Sequence, residues 1–313
     1  MTYRPLAWIT HPDCLKHEMP GGHPESPRRL VAIEDRLRAA GLADFVDRYE
    51  APLAPKDALL AVHDAAHVDR VLHADTRSGP FAHDGDTVQI DHTLHAALRA
   101  AGAGMLGVDL TIDGKAGLAF CAVRPPGHHA ERARVMGFCF FNNIAVAAAH
   151  ALRRGLDRVA ILDFDLHYGN GTADVFMNDP RVELYSTYQH PLYPYWTGAP
   201  HAPNLIDVPL APYTGGDALR NAVAERWLPR LEKQRPQILL VSAGFDAHAD
   251  DPLGDLRWSY DDYRWLGSVI DEVAQECCDG RVVAMLEGGY DLHALSRSVE
   301  SFVRAFLGEE IPV

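Results

Sequence analysis

The sequence predicts an α/β protein: one domain over residues 1–313, built on an open, mostly parallel sheet flanked by helices, with its active site at the carboxyl ends of the strands. Three observations lead there. Segments of helical apolar periodicity alternate with short apolar runs along the whole chain. Those runs are nearly continuous in Val, Ile, Leu and Ala, as strands covered on both faces are. Finally, His, Asp and Tyr gather directly after the runs instead of scattering over many loops.

In chain order, the opening stretch MTYRPLAWITHPDC reads as the first strand. It lacks the basic stretch and the roughly 7–15-residue apolar core of a signal peptide. Helices are expected at Arg28 to Ala40, Thr93 to Leu110, Asn143 to Arg154 (closed by Gly155), Gly216 to Gln234, Asp261 to Cys278 and Leu292 to Leu307. Strands are expected at Gly117 to Val123, Val159 to Leu162, Val182 to Tyr185, Ile238 to Ser242 and Val282 to Leu286. No repeat, low-complexity tract or long Ser/Gly linker divides the chain.

Composition narrows the function classes. With 47% hydrophobic and 23% charged residues, and no apolar run near the roughly 18 residues a membrane span needs, neither disorder nor membrane insertion is expected. The 29 basic against 43 acidic residues leave a formal charge of -14, the wrong sign for holding a phosphate backbone, so no nucleic-acid partner is expected. Five cysteines without a CxxC pair fit a reducing cytoplasm rather than a secreted disulfide scaffold.

The strand ends carry the chemistry. Arg124-Pro-Pro-Gly-His128-His129, Asp163-Phe-Asp165-Leu-His167-Tyr-Gly-Asn170-Gly, Ala-Gly-Phe-Asp246 and Glu287-Gly-Gly-Tyr290 each follow a predicted strand. In extended backbone, alternate side chains share a face about 6.5–7 Å apart, so Asp163, Asp165 and His167 point the same way. Two carboxylates and an imidazole with an open fourth position describe a catalytic zinc site better than a closed structural one, and calcium wants more oxygens. Two Asp ligands neutralise the ion, so its water needs help from a base, and His128 or His129 is a candidate. Asp163 and Asn170 are candidates to orient those rings, and Tyr290, delivered by paired glycines, to donate to a developing oxyanion.

Together with His23-Pro-Glu-Ser-Pro-Arg-Arg-Leu, Gly-Phe-Cys-Phe-Phe-Asn-Asn at 137–143 and Ser-Ala-Gly-Phe-Asp at 242–246, these motifs resemble the zinc-dependent histone deacetylase superfamily over essentially the whole chain. Asn170 in place of an Asp makes the class II type and the bacterial deacetylase-like amidohydrolases the better match. The resemblance implies an arginase/deacetylase-like fold and one Zn2+ held by Asp165, His167 and Asp246. It also implies His128 and His129 as the acid/base pair, oriented by Asp163 and Asn170, and Tyr290 as the group polarising the acetyl carbonyl. It further implies an acyl tunnel formed by Gly137-Phe138 and Tyr193, a rim aspartate at Asp86, and a structural K+ bound by Asp163 and Ser186 with the carbonyls of Asp165 and His167.

The expected reaction is hydrolysis of an N-acetyl amide on acetyl-lysine or a related acetylated amine. Acetylpolyamine hydrolysis is the alternative, and Leu253, seven residues after Asp246, bears on it because some polyamine enzymes of the family carry a Glu there. A binuclear manganese hydrolase of the arginase kind needs further carboxylates where this chain has Gly169 and His248. A non-catalytic acetyl-amine binding module is at odds with an intact His pair and Tyr290. The aromatic group Tyr188, Tyr193, Tyr195 and Trp196 reads either as pocket rim or as packing of a long loop.

Overall fold

The computed structural model describes residues 5–19, 21–195 and 202–307; Trp196 lies outside them. Its strands, in chain order, are β1 (Leu6–Thr10), β2 (Val46–Glu50), β3 (Phe81–Ala82), β4 (Val88–Gln89), β5 (Leu118–Cys121), β6 (Val159–Asp163), β7 (Val182–Gln189), β8 (Leu205–Leu210), β9 (Ile238–Ala243) and β10 (Val282–Leu286). Eight of them form one sheet in the order β2-β1-β5-β10-β9-β6-β7-β8, and every neighbouring pair runs parallel. β3 and β4 make a separate small hairpin.

Parallel strands put all their carboxyl ends on one rim. β5, β10, β9 and β6 are the middle four, and each is followed by one of the polar segments found in the sequence. Burial on both faces explains why these strands read as apolar runs: every residue of β5, β6, β9 and β10 is buried. The two helix layers follow from alternation along β5. Ala119 lies against Gly107 of the helix Thr93–Ile112, while the next residue, Phe120, meets Phe302 of the helix Leu292–Leu307 at 6.4 Å between ring centroids. Adjacent strand residues point to opposite faces, so these helices cover opposite sides. Among the described residues, no helix is long and apolar enough to cross a membrane.

The elements that the sequence reading omits are those with mixed composition. β2 reads VDRYE and sits at a sheet edge with most of its length in contact with solvent, and β8, at the other edge, contains Pro209. The segment 216–234 is not one regular helix: a π turn at Val223–Trp227 precedes Pro229. Proline lacks the N–H of a normal turn and crowds the carbonyl four residues back, which the wider turn relieves. Local caps set other boundaries. Asn142 accepts from the Ala145 N–H to start Asn143–Arg153, and Ser259 with Asp262 forms a capping box ahead of Tyr260–Cys277.

One buried ionic cluster ties the rim to the amino-terminal region. Glu25, Arg29 and Arg124 are all fully buried. Arg124 grips both Glu25 oxygens, at 2.5 Å for the Nη2–Oε2 bond, and also donates to the carbonyls of Cys14 and His17. Arg29 donates to Glu25 at 3.2 Å, to the Gly289 carbonyl at 2.7 Å and to the Glu287 carbonyl. Burial alone would push the Glu25 carboxyl up, but Arg124 and then Arg29 overcome it and hold the group at about 2.

Because this folded value lies below the ordinary 4.5, the stabilisation is complete above pH 4.5 and is lost as pH falls towards 2. Glu25→Gln leaves two buried guanidinium groups short of their counter-charge and should cost about 3–5 kcal/mol, read from urea unfolding at pH 7. The variant should also lose less stability than the parent on acidification through that window. An unchanged urea midpoint would contradict the role given to the cluster.

Candidate metal and catalytic centre

β6 ends at Asp163, and the chain then bends through Asp165, Leu166 and His167. Phe164 points away from the rim into an aromatic cluster, with Phe302 at 5.6 Å and Phe245 at 5.8 Å between centroids, which anchors the segment. Asp165 and His167 turn the other way and meet Asp246 from the end of β9. One ligand atom from each of these three lies within 4.8 Å of the others. His167 Nδ1 is 3.1 Å from Asp165 Oδ1 and 3.2 Å from Asp246 Oδ2.

The remaining carboxylate oxygens are held by backbone. Asp165 Oδ2 accepts from the Gly288 N–H at 2.8 Å, and Asp246 Oδ1 from the Leu166 N–H at 3.0 Å. Asp246 Oδ2, by contrast, accepts no well-aligned hydrogen bond among the described residues, although His167 Nδ1 stands 3.2 Å away. Buried carboxylate oxygens are rarely left so. The orphaned oxygen, the mixed O/O/N donor set and the burial fit a divalent cation with one position left open. Close approach makes glycine necessary at 288, because a methyl there would strike the carboxylates of both Asp246 and Asp165.

The adjacent histidines emerge after β5. His128 Nδ1 is 3.1 Å from Asp163 Oδ2, and His129 Nδ1 is 2.7 Å from Asn170 Oδ1. Asn170 donates its amide to Glu131 at 2.7 Å, so its oxygen faces His129 and fixes the tautomer with a proton on Nδ1 and a lone pair on Nε2. The two rings differ in charge. Burial works against a cation at His128, yet Asp165 and then Asp163 raise it to about 10. Burial, and then the charge of the neighbouring His128, push His129 well below its ordinary value. An acid–base pair has its values driven apart in this way.

Both rings line a cavity of about 270 Å³ whose walls include Phe138, Tyr193, Leu253 and Gly137, with Asp86 also lining it. Gly137 and Phe138 both have positive φ, 57° and 68°, and a side chain at 137 would strike the His129 ring. Tyr193 stands edge-on to His129 at 5.2 Å. Tyr290 lines the same space, perpendicular to Phe138 at 6.0 Å, its ring 5.0 Å from the Arg29 guanidinium. Burial pushes its phenol well above the ordinary value, so it stays a proton donor. Every tunnel residue expected from the sequence therefore borders one space. Tyr195 joins them, while Tyr188 packs against Tyr168 at 4.7 Å.

On the sheet side, Ser186 stands in register with Asp163, and its buried hydroxyl, like that of Thr187, has no hydrogen-bond partner among the described residues. The sequence reading passed over Glu287. This buried side chain accepts from the Gly127 N–H at 2.7 Å, the His128 N–H at 3.2 Å and the Ser242 hydroxyl at 3.2 Å, pinning the His loop to the ends of β9 and β10. Its only signal was a carboxylate directly after an apolar run.

The histone deacetylase domain family matches residues 23–306. The chain belongs to that family. It is 39% identical over 311 residues to the chloroplastic histone deacetylase 10 of Oryza sativa subsp. japonica, covering 92% of this chain and 70% of that protein. It is 34% identical to the polyamine deacetylase HDAC10 of Homo sapiens, covering 92% of this chain and 45% of that protein. The crystal structure of the HDA15 HD domain superposes with a TM-score of 0.92 at 30% identity, covering 99% of this chain and 90% of the other. The open parallel sheet flanked by helices is thus the fold of the histone deacetylase family.

Gly288→Ala tests the packing of the candidate metal site directly. The variant should stay folded and yet hold Zn2+ about tenfold more weakly or worse in chelator competition. Unaltered affinity would mean that the two carboxylates have room to yield.

Proposed function

We propose that the chain is one catalytic domain that hydrolyses N-acetyl amides of acetyl-lysine or related acetylated amines in a metal-dependent reaction. The observation carrying this reading is the convergence on one cavity of the Asp165–His167–Asp246 group, a His pair held by Asp163 on one ring and Asn170 on the other, and Tyr290. A Zn2+ ion held by Asp165, His167 and Asp246 would supply Lewis acidity towards the acetyl carbonyl and the attacking water.

The protein groups do the rest. Neutral His129, its Nδ1 proton engaged by Asn170, offers Nε2 to take the proton of the attacking water. Tyr290 donates to the oxyanion that forms on the former carbonyl oxygen. His128, charged through Asp163 and Asp165, passes a proton to the leaving nitrogen as the C–N bond breaks, giving acetate and the free amine. A bare Asn beside one His and an Asp beside the other is what separates their roles.

Phe138, Tyr193 and Leu253, which border the cavity, would give a tunnel apolar walls suited to the methylene chain of the substrate, and Asp86, which borders it too, would make contacts at the rim. A K+ ion at Asp163 and Ser186, with the carbonyls of Asp165 and His167, would satisfy the orphaned Ser186 hydroxyl and offset the charge of Asp163. Acetylpolyamine hydrolysis is the second reading, favoured by the likeness to a polyamine deacetylase and opposed by the apolar Leu253.

Tyr290→Phe should lower kcat by about 10²–10³ while retaining its zinc, measured by turnover and metal content together. Near-normal turnover would remove the oxyanion role. In a parallel assay of the zinc-loaded protein, with Asp165→Ala and chelated enzyme as blanks, an acetyl-lysine peptide should be turned over faster than acetylated putrescine or spermidine. The reverse order would overturn the Leu253 argument.

A further inference from the structure

Tyr290 follows two glycines, and Gly289 has a φ of 117°, so the backbone that delivers the phenol has little conformational preference of its own. Something else must fix where the ring stands. Beside Arg29, which holds the Gly289 carbonyl and faces the Tyr290 ring, the buried carboxylate of Asp251, outside the group of candidate metal ligands, does so through its backbone donors. Its Oδ2 accepts from the Tyr290 N–H at 2.6 Å and the Asp291 N–H at 3.3 Å, while Oδ1 accepts from the Leu253 N–H at 3.0 Å. One side chain therefore bolts the loop after β9, which carries the tunnel wall Leu253, to the loop after β10, which carries Tyr290.

The chemistry requires a carboxylate. Both oxygens are in use as acceptors, and an amide of the same shape offers a single acceptor and turns an NH2 group towards one of the N–H donors. The contact at the Tyr290 N–H is the shortest of the three, at 2.6 Å.

We propose that Asp251 is a positioning residue for the deacetylation step, setting the placement of the Tyr290 phenol relative to the tunnel wall. This rests on the reading of Tyr290 as the oxyanion donor. Asp251 does not touch the substrate. Its effect passes through the tyrosine, and that makes it separable from a merely structural role.

The test is a double-mutant cycle on zinc-loaded protein with an acetyl-lysine peptide, comparing the parent, Asp251→Asn, Tyr290→Phe and the double variant. Asp251→Asn should lower kcat by about 10–100-fold with KM within about threefold and zinc content unchanged. In the Tyr290→Phe background, the same change should lower kcat by less than about threefold, because the hydroxyl being positioned is gone. Asp251→Glu, which keeps the charge on a longer arm, is the second variant, and its loss in kcat should likewise vanish without the phenol. A full Asp251 effect in the Tyr290→Phe background, or near-parent kcat in both Asp251 variants, overturns the proposal. Near-parent turnover of Tyr290→Phe alone overturns the reading of the tyrosine instead, and the positioning role with it.

Discussion

Four carboxylates, those of Asp163, Asp165, Asp246 and Glu287, are buried within a few residues of the ends of β6, β9 and β10, none more than 1% exposed. Ionised groups cannot stay in such a place unless hydrogen bonds and opposite charge replace the water they have lost. Most of the local structure is that replacement. Backbone N–H groups of Gly127, His128, Leu166 and Gly288 point at carboxylate oxygens, and His128 supplies opposite charge beside Asp163. Where the replacement falls short, at Asp246 Oδ2, the remaining demand is the attraction for a divalent ion.

The same demand shapes the backbone. Each N–H must come within hydrogen-bond range of an oxygen, so the loops are drawn close and side chains at their closest points must vanish, as at Gly288 and Gly137. The two histidines acquire different charge because one is backed by an anion and the other by an amide, a one-atom difference between Asp163 and Asn170. Reactivity here follows from which buried groups are compensated and which are left short.

Much of this was legible in the sequence. β5, β6, β9 and β10 announced themselves because both their faces are covered, and the polar residues after them stood out against apolar runs. β2 and β8 did not: edge strands meet solvent on one side, and their mixed residues, with Pro209 in one of them, match no period. The apolar run predicts β7 only as far as Tyr185, whereas the strand continues to Gln189, because its last residues are polar yet buried. Glu287 and the Glu25–Arg124–Arg29 cluster were opaque for a different reason. Apart from the i,i+4 pair of Glu25 and Arg29, their partners are backbone groups and charges far away in sequence, and no local pattern encodes such a meeting.

Arg29 reaches the carbonyl of Gly289 across a sequence separation of 260, and Arg124 reaches Glu25 across 99. The rim is thus closed by bonds between the two ends of the chain. During synthesis or refolding, the middle of the sheet has no route to a finished centre until its last-made strand has docked beside β5 and β9, because the Gly288 N–H, the Glu287 side chain and Tyr290 all arrive with it. Contacts of such long sequence range form slowly. The centre is therefore incomplete without β10, and a chain cut short before it would keep most of the motifs while lacking the means to hold them in place.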